Sequence, residues 1–180
     1  SGDLYSYGTL ANVLKVFDMP DSSKSAIVQG ISRVKILNYT TSEPYFKAAI
    51  QLVDDEPIED DLEVEALANN LRQSFADLMN VAPNLTEEHT GMLSNIQKPN
   101  RLTDRAISLL TVPNKEKQEV LEELNIKIRL EKAINLITRE IQRIKLGEEI
   151  QSEVHDEISK TQREYYLREQ TKTIKKELGE

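Results

Sequence analysis

The chain has 180 residues, of which 38% are hydrophobic and 30% charged, and its 31 acidic and 23 basic side chains give a net charge of −8. It contains no cysteine, which excludes disulfides and thiolate metal sites, and no apolar run approaches the ~20 residues that span a bilayer as a helix. The charge divides as −4 over residues 1–60, −5 over 61–126 and +1 over 127–180, so no segment has the concentrated positive charge that binding a phosphate backbone requires.

Residues 7–53 have strand character. Leu10, Leu14 and Val16 share one parity, and Val28, Val34 and Ile36 resume the alternation beyond a turn at Met19 to Lys24. Phe46, Ala48, Ile50 and Leu52 alternate with Lys47 and Gln51, which predicts one buried and one wetter face. Gly30 interrupts the middle run and suits a bulge or bend. Read this way, the region is an antiparallel meander of four strands.

Asp54 to Asp61 (DDEPIEDD) reads as an acidic linker centred on Pro57. It lacks the spaced oxygen ligands and turn glycine of a calcium loop, so a solvated linker is the better reading. Beyond it the pattern turns helical. Leu62, Ala66, Leu67, Leu71, Phe75, Leu78 and Met79 form a stripe at spacings of three and four, which Pro83 ends. Thr86, with Glu87 and Glu88 behind it, reads as an N-cap followed by a first turn of acids. Met92, Leu93 and Ile96 make a second stripe, closed by Pro99. Leu102, Ala106, Leu109 and Leu110 make a third, closed by Pro113, and Val120, Leu121 and Leu124 follow. Short helices punctuated by proline predict a compact bundle.

From Asn125 onward there is no proline. Leu130, Ile134, Ile137, Ile141 and Ile144 repeat at alternating four and three, and the register then dilutes through Gly147, Gln151 and Thr161. This predicts one helix from Asn125 to Leu178, with a bend permitted near Gly147. The proximal seam should pack on the bundle and the distal part should project. Ile150, Val154, Ile158, Tyr165, Tyr166 and Leu167 are therefore the candidate contacts for a partner or substrate.

Catalytic chemistry is not visible. His89 and His155 lie in different segments, and Asp156 and Glu157 beside His155 face other directions on a helix, so surface roles fit them best. Ser108 and Lys115 have no strained turn or oxyanion loop between them. No glycine-rich loop ends in Gly-Lys-Ser or Gly-Lys-Thr. The cations of the last twenty residues, Arg163, Arg168, Lys172, Lys175 and Lys176, are interleaved with acids that pair with them along a helix, Glu164 with Arg168 and Glu169 with Lys172.

Four blocks resemble one family. Gln162 to Gln170 (QREYYLREQ), then Lys172, Ile174 and Lys176 to Glu180, are similar to the signature helix of ATP-dependent Lon proteases of bacterial type. Asp3 to Ala11 (DLYSYGTLA), Val28 to Val34 (VQGISRV), and Lys117-Gln118 with Val120-Leu121-Glu122 and Arg129-Leu130 resemble earlier blocks of that family, in its order. Thr171 and Thr173 stand where the family more often has Met or Leu and Ala. The resemblance implies an α+β chain: a partial antiparallel, PUA-like or LON-type β module over 1–54 and an acidic linker over 55–61, followed by a helical bundle over 62–126 and a very long helix over 127–180. It implies further strands of the same module ahead of Ser1.

In function, the resemblance implies a non-catalytic part of a cytoplasmic, ATP-dependent serine endopeptidase in protein quality control. That part recognises unfolded or degron-bearing proteins and supports assembly of a homohexamer. ATP, Mg²⁺ and a Ser–Lys dyad would then belong to the parent protein beyond Glu180, with no cofactor, metal or catalytic residue in this stretch and no membrane partner. Two readings of other classes stand beside it. One is a nucleic-acid-binding module, because the parent family is said to contact DNA; the net −4 of the β segment argues against it here. The other is a purely structural coiled-coil spacer, for which the β module and bundle would be superfluous.

Overall fold

The computed structural model describes residues 4–54 and 61–178, with side chains omitted at 87–90, 175 and 178. The residues 55–60 of the predicted linker, Ser1 to Asp3, the His89 side chain and Gly179-Glu180 lie outside that description. Three strands, β1 (Tyr7–Asp18), β2 (Lys24–Thr41) and β3 (Lys47–Val53), form an antiparallel sheet in the order β1-β2-β3. Among the described residues five helices follow: α1 (Leu62–Met79), α2 (Glu87–Ser94), α3 (Pro99–Leu109), α4 (Asn114–Glu122) and α5 (Ile126–Leu178).

The sheet has three strands where the alternation predicted four, and the reason lies at Gly30. β2 runs unbroken through it for 18 residues. Opposite β1, Leu10 pairs with Ser32 and Ala11 with Gly30, so Ile31 is the extra residue of a bulge. A Cβ on Gly30 would lie 3.3 Å from Thr9 Cγ2, tight enough to force a shift. The break in parity is thus a bulge within one strand rather than the end of one. The β1–β2 turn is held by Met19 N–H donating to Ser23 O at 2.9 Å. The Asp21 carboxylate accepts from the Ser23 hydroxyl and N–H, which hold its pKa below the usual carboxylate value.

The predicted buried face of the last strand is also corrected. Phe46, Ile50 and Leu52 are exposed, as are Val13, Val16 and Val28 on the β1–β2 ribbon. No described element packs over them. The sheet meets the helices at one end only, around Arg33, Val34 and Tyr7.

The bundle holds the core. Residues Leu71, Phe75 and Leu78 of α1 meet Leu102 and Ala106 of α3, Val120 of α4, and Leu130, Ala133 and Ile137 of α5. The stripe on α1 differs at its start from the predicted one. Val64 and Ala68 are buried, whereas Leu62 is 83% exposed and Ala66 is also outside the core. The 4-3-4-3 spacing that leads into Leu71, Phe75 and Leu78 starts from Val64, on a face that Leu62 does not share. The prolines expected to close helices open the next ones: Pro99 is in the first turn of α3 and Pro113 is the N-cap of α4. A proline costs little there because its missing N–H would have had no helical partner.

α1 and α5 run side by side with their amino ends together. Lys127 Nζ lies 2.8 Å from Asp61 Oδ2 and also pairs with Glu63. Asp61 and Glu63 raise the Lys127 pKa, and Lys127 in turn lowers that of Asp61. Asp61 also caps α1, accepting from Glu63 N–H at 2.9 Å. Asn125 does the same for α5, accepting from Lys127 N–H at 3.1 Å. Arg129 is fully buried between α4 and α5, where its guanidinium donates to the Glu123 and Leu124 carbonyls at 2.6 and 3.2 Å. Nearby, Lys132 holds the Glu123 carboxylate below its usual pKa from 2.7 Å.

α5 has 53 residues, about 80 Å at 1.5 Å per residue. It is continuous through Gly147, where an added Cβ would meet nothing within 4 Å. Its buried positions stop at Glu140, whose carboxylate is held below its usual pKa chiefly by Arg143. Ile141 and Ile144 still touch the core from its rim. From Lys145 to Ile174 every described side chain is exposed except Glu169.

Candidate functional site

Two surfaces stand out, one anticipated by the sequence and one not. The anticipated surface is the distal half of α5. Ile150, Val154, Ile158, Tyr165, Tyr166 and Leu167 are each between 50% and 68% exposed. Ile150, Val154 and Ile158 recur at spacings of four and share a face, and Tyr165 continues it. Tyr166 and Leu167 turn away by about 100° per residue, so the six side chains do not form one patch. The Tyr166 hydroxyl accepts from Gln170 Nε2 at 3.1 Å, and Lys172 pairs with Glu169 at 2.6 Å.

The distal helix is electrostatically divided. Residues 147–158 carry five acids and no Lys or Arg, whereas 159–176 carry six Lys or Arg and two Glu. An apolar stripe therefore runs from an acidic sector into a basic one. His155 lies exposed in the acidic sector. Among the described residues no group of three or more His, Asp or Glu side chains is placed to hold a metal ion.

The unanticipated surface is a groove of about 1510 Å³ where the sheet meets α3 and α4. Its walls come from Thr9 of β1, Gly30 to Arg33 of β2, Val53 of β3, the first turns of α3, and Asn114 to Leu121 of α4. Two polar bridges fix its width. Arg33, with its side chain 5% exposed, donates from Nη2 to Asp104 Oδ1 at 3.1 Å and Oδ2 at 3.4 Å. At the other end, Gln118 Nε2 donates to the Tyr7 carbonyl at 2.9 Å and to Glu122 Oε1 at 2.8 Å. The signal for this groove lay in the sequence only as the blocks around Arg33 and Gln118. Residues 71 and 111 positions apart give no local periodicity by which to pair them.

A family model described as the ATP-dependent protease La (LON) substrate-binding domain matches residues 1–139, which include the groove and the start of α5 and end before its distal half. Lon protease of Anaeromyxobacter dehalogenans is 42% identical over 99% of this chain, corresponding to 21% of that protein. Lon protease 2 of Myxococcus xanthus is 38% identical over 100% of this chain and 22% of its own length. The chain thus spans about a fifth of the length of the curated relatives it matches. In fold, it is similar to the N-terminal domain of Mycobacterium avium complex Lon protease, with a TM-score of 0.62 at 22% identity over 76% of this chain and 72% of that one.

Proposed function

The chain belongs to the family of ATP-dependent protease La (Lon) substrate-binding domains, and from that premise we propose that it captures unfolded or degron-bearing proteins and joins subunits of a cytoplasmic, homohexameric Lon protease. The observation that carries the reading is α5. Its first five turns are locked into the bundle by Leu130, Ala133 and Ile137, while its remainder holds an apolar stripe away from the body. Such a helix is a rigid strut with a contact surface at its far end. Its acidic sector before Ile158 and basic sector after it complement a neighbouring subunit's helix running in the opposite direction.

Proteolysis itself is assigned to other modules of the full-length protein. These residues do not fit a nucleotide: none of the chain's glycines opens a phosphate loop, and the groove between sheet and bundle has no Gly-Lys-Ser or Gly-Lys-Thr turn. In this proposal ATP, Mg²⁺ and a Ser–Lys dyad act outside the chain, and the β module and bundle select what reaches them. Among the described residues no helix is long and apolar enough to cross a membrane.

The test is the double variant Ile158→Asp/Tyr165→Asp in the full-length protease. Both side chains are exposed, so the chain's melting temperature should be unchanged. Placing charge at two contact positions should cost at least about tenfold in subunit association or in degradation of an unfolded protein. Normal assembly together with normal degradation would refute a contact role for the distal helix.

A further inference from the structure

We infer that the groove between the sheet and the bundle accepts an extended polypeptide in which apolar side chains stand next to Asp or Glu. The inference rests on reading the chain as a recognition region and specifies the substrate class at one place in it. At about 1510 Å³ the groove exceeds the ~300–1000 Å³ of ordinary small-molecule pockets. It suits a stretch of several residues.

Charge complementarity selects among polypeptides. The chain as a whole is −8, yet the groove reverses that sign. Among the described residues, Arg33 and Asp104 offset each other across their bridge, which leaves Lys98, Arg101, Arg105 and Lys117 lining the groove against Asp54. Ile31, Val53, Ile107 and Leu121 supply the apolar part of the lining. Cationic side chains set beside apolar ones, in a chain whose net charge is negative, draw carboxylates to this groove. The amino ends of α3 and α4 open on the same groove, and neither N-cap, Lys98 or Pro113, makes a side-chain capping bond. Their partial positive charge adds to the effect.

A nucleic acid is the other anionic polymer to consider. It fits less well, because among the described residues Tyr5 is the one aromatic side chain lining the groove and stacking platforms need several. The overall acidity would also oppose a long phosphate backbone.

The experiment is fluorescence anisotropy on the chain with three labelled peptides that share alternating leucines and carry Asp/Glu, Asn/Gln or Lys between them. The acidic peptide should bind at least about tenfold more tightly than the basic one, and its affinity should fall as salt rises from about 50 to about 500 mM. Arg101→Glu/Lys117→Glu should weaken the acidic peptide about tenfold and strengthen the basic one. Circular dichroism should show the double variant as helical as the parent chain. Equal binding of acidic and basic peptides, a double variant with unchanged affinities, or displacement of the acidic peptide by a single-stranded DNA oligomer would each overturn the inference. A permanently unfolded protein added to the same chain separates the two readings. Should it bind while all three peptides fail, the groove assignment falls and the recognition role stands; should it also fail to bind, both fall.

Discussion

Replacing Phe75 with alanine should destabilise the chain by about 3–5 kcal/mol. Phe75 is fully buried on α1 at the centre of the cluster that joins Leu71 and Leu78 to α3 and α5. The ring cannot be replaced by solvent, and the surrounding helices can close only part of the void. Against the 5–15 kcal/mol that holds an ordinary domain together, this loss is a large fraction of the total. Urea denaturation followed by circular dichroism should show a marked fall in midpoint. Because the β ribbon has few buried side chains, helical signal should account for most of the lost cooperativity. A midpoint shift equivalent to less than about 1 kcal/mol would mean that the bundle core is not centred where the structure puts it.

Arg129 is the second position of large effect, for a different reason. It is buried to the same degree as the core leucines, and main-chain carbonyls of Glu123 and Leu124 are among its partners. A methionine there keeps much of the stem's packing but leaves those carbonyls without their donor. A buried acceptor left unsatisfied costs about 1–3 kcal/mol, and these two are half-buried, so Arg129→Met should cost about 2–3 kcal/mol. Replacing a buried ion pair with apolar residues can be neutral, but these two acceptors belong to the backbone and cannot be replaced along with the arginine. Arg129→Lys should recover little, because a single ammonium cannot reproduce the planar fork that serves both carbonyls. Amide exchange should accelerate first at the α4–α5 junction around Asn125. Unchanged stability in Arg129→Met would show that the junction is held by Lys132 and the Asn125 cap alone.

The long helix was the most legible part of the sequence. Its seam from Leu130 to Ile144 is strictly periodic, proline is absent after Pro113, and Asn125 supplies the cap, so local rules and tertiary packing agree. The bundle was legible in kind but less so in detail. Leu62 satisfied the helical pattern as a residue type while lying outside the core, because the partners that choose between Leu62 and Val64 come from α5, more than sixty residues away. In the sheet, a glycine that permits a bulge and a glycine that ends a strand leave the same gap in parity. Only the pairing of Leu10 with Ser32 and Ala11 with Gly30 separates them. The alternation around Ile50 correctly marked a strand but not its burial, because alternation shows that two faces differ and not that something covers one of them. The groove was the least legible, since it is made where distant segments meet through Arg33–Asp104 and Gln118–Tyr7.

Recognition of unfolded protein by this chain can be measured by titrating it with one polypeptide in two states: a protein held permanently unfolded by reduction and alkylation, and the same protein native. Saturable binding of the unfolded form is expected at micromolar concentration, a free energy of about −8 kcal/mol, with no measurable binding of the native form. Equal affinity for the two forms, or no binding of either alongside salt-sensitive binding of a DNA oligomer, would contradict it.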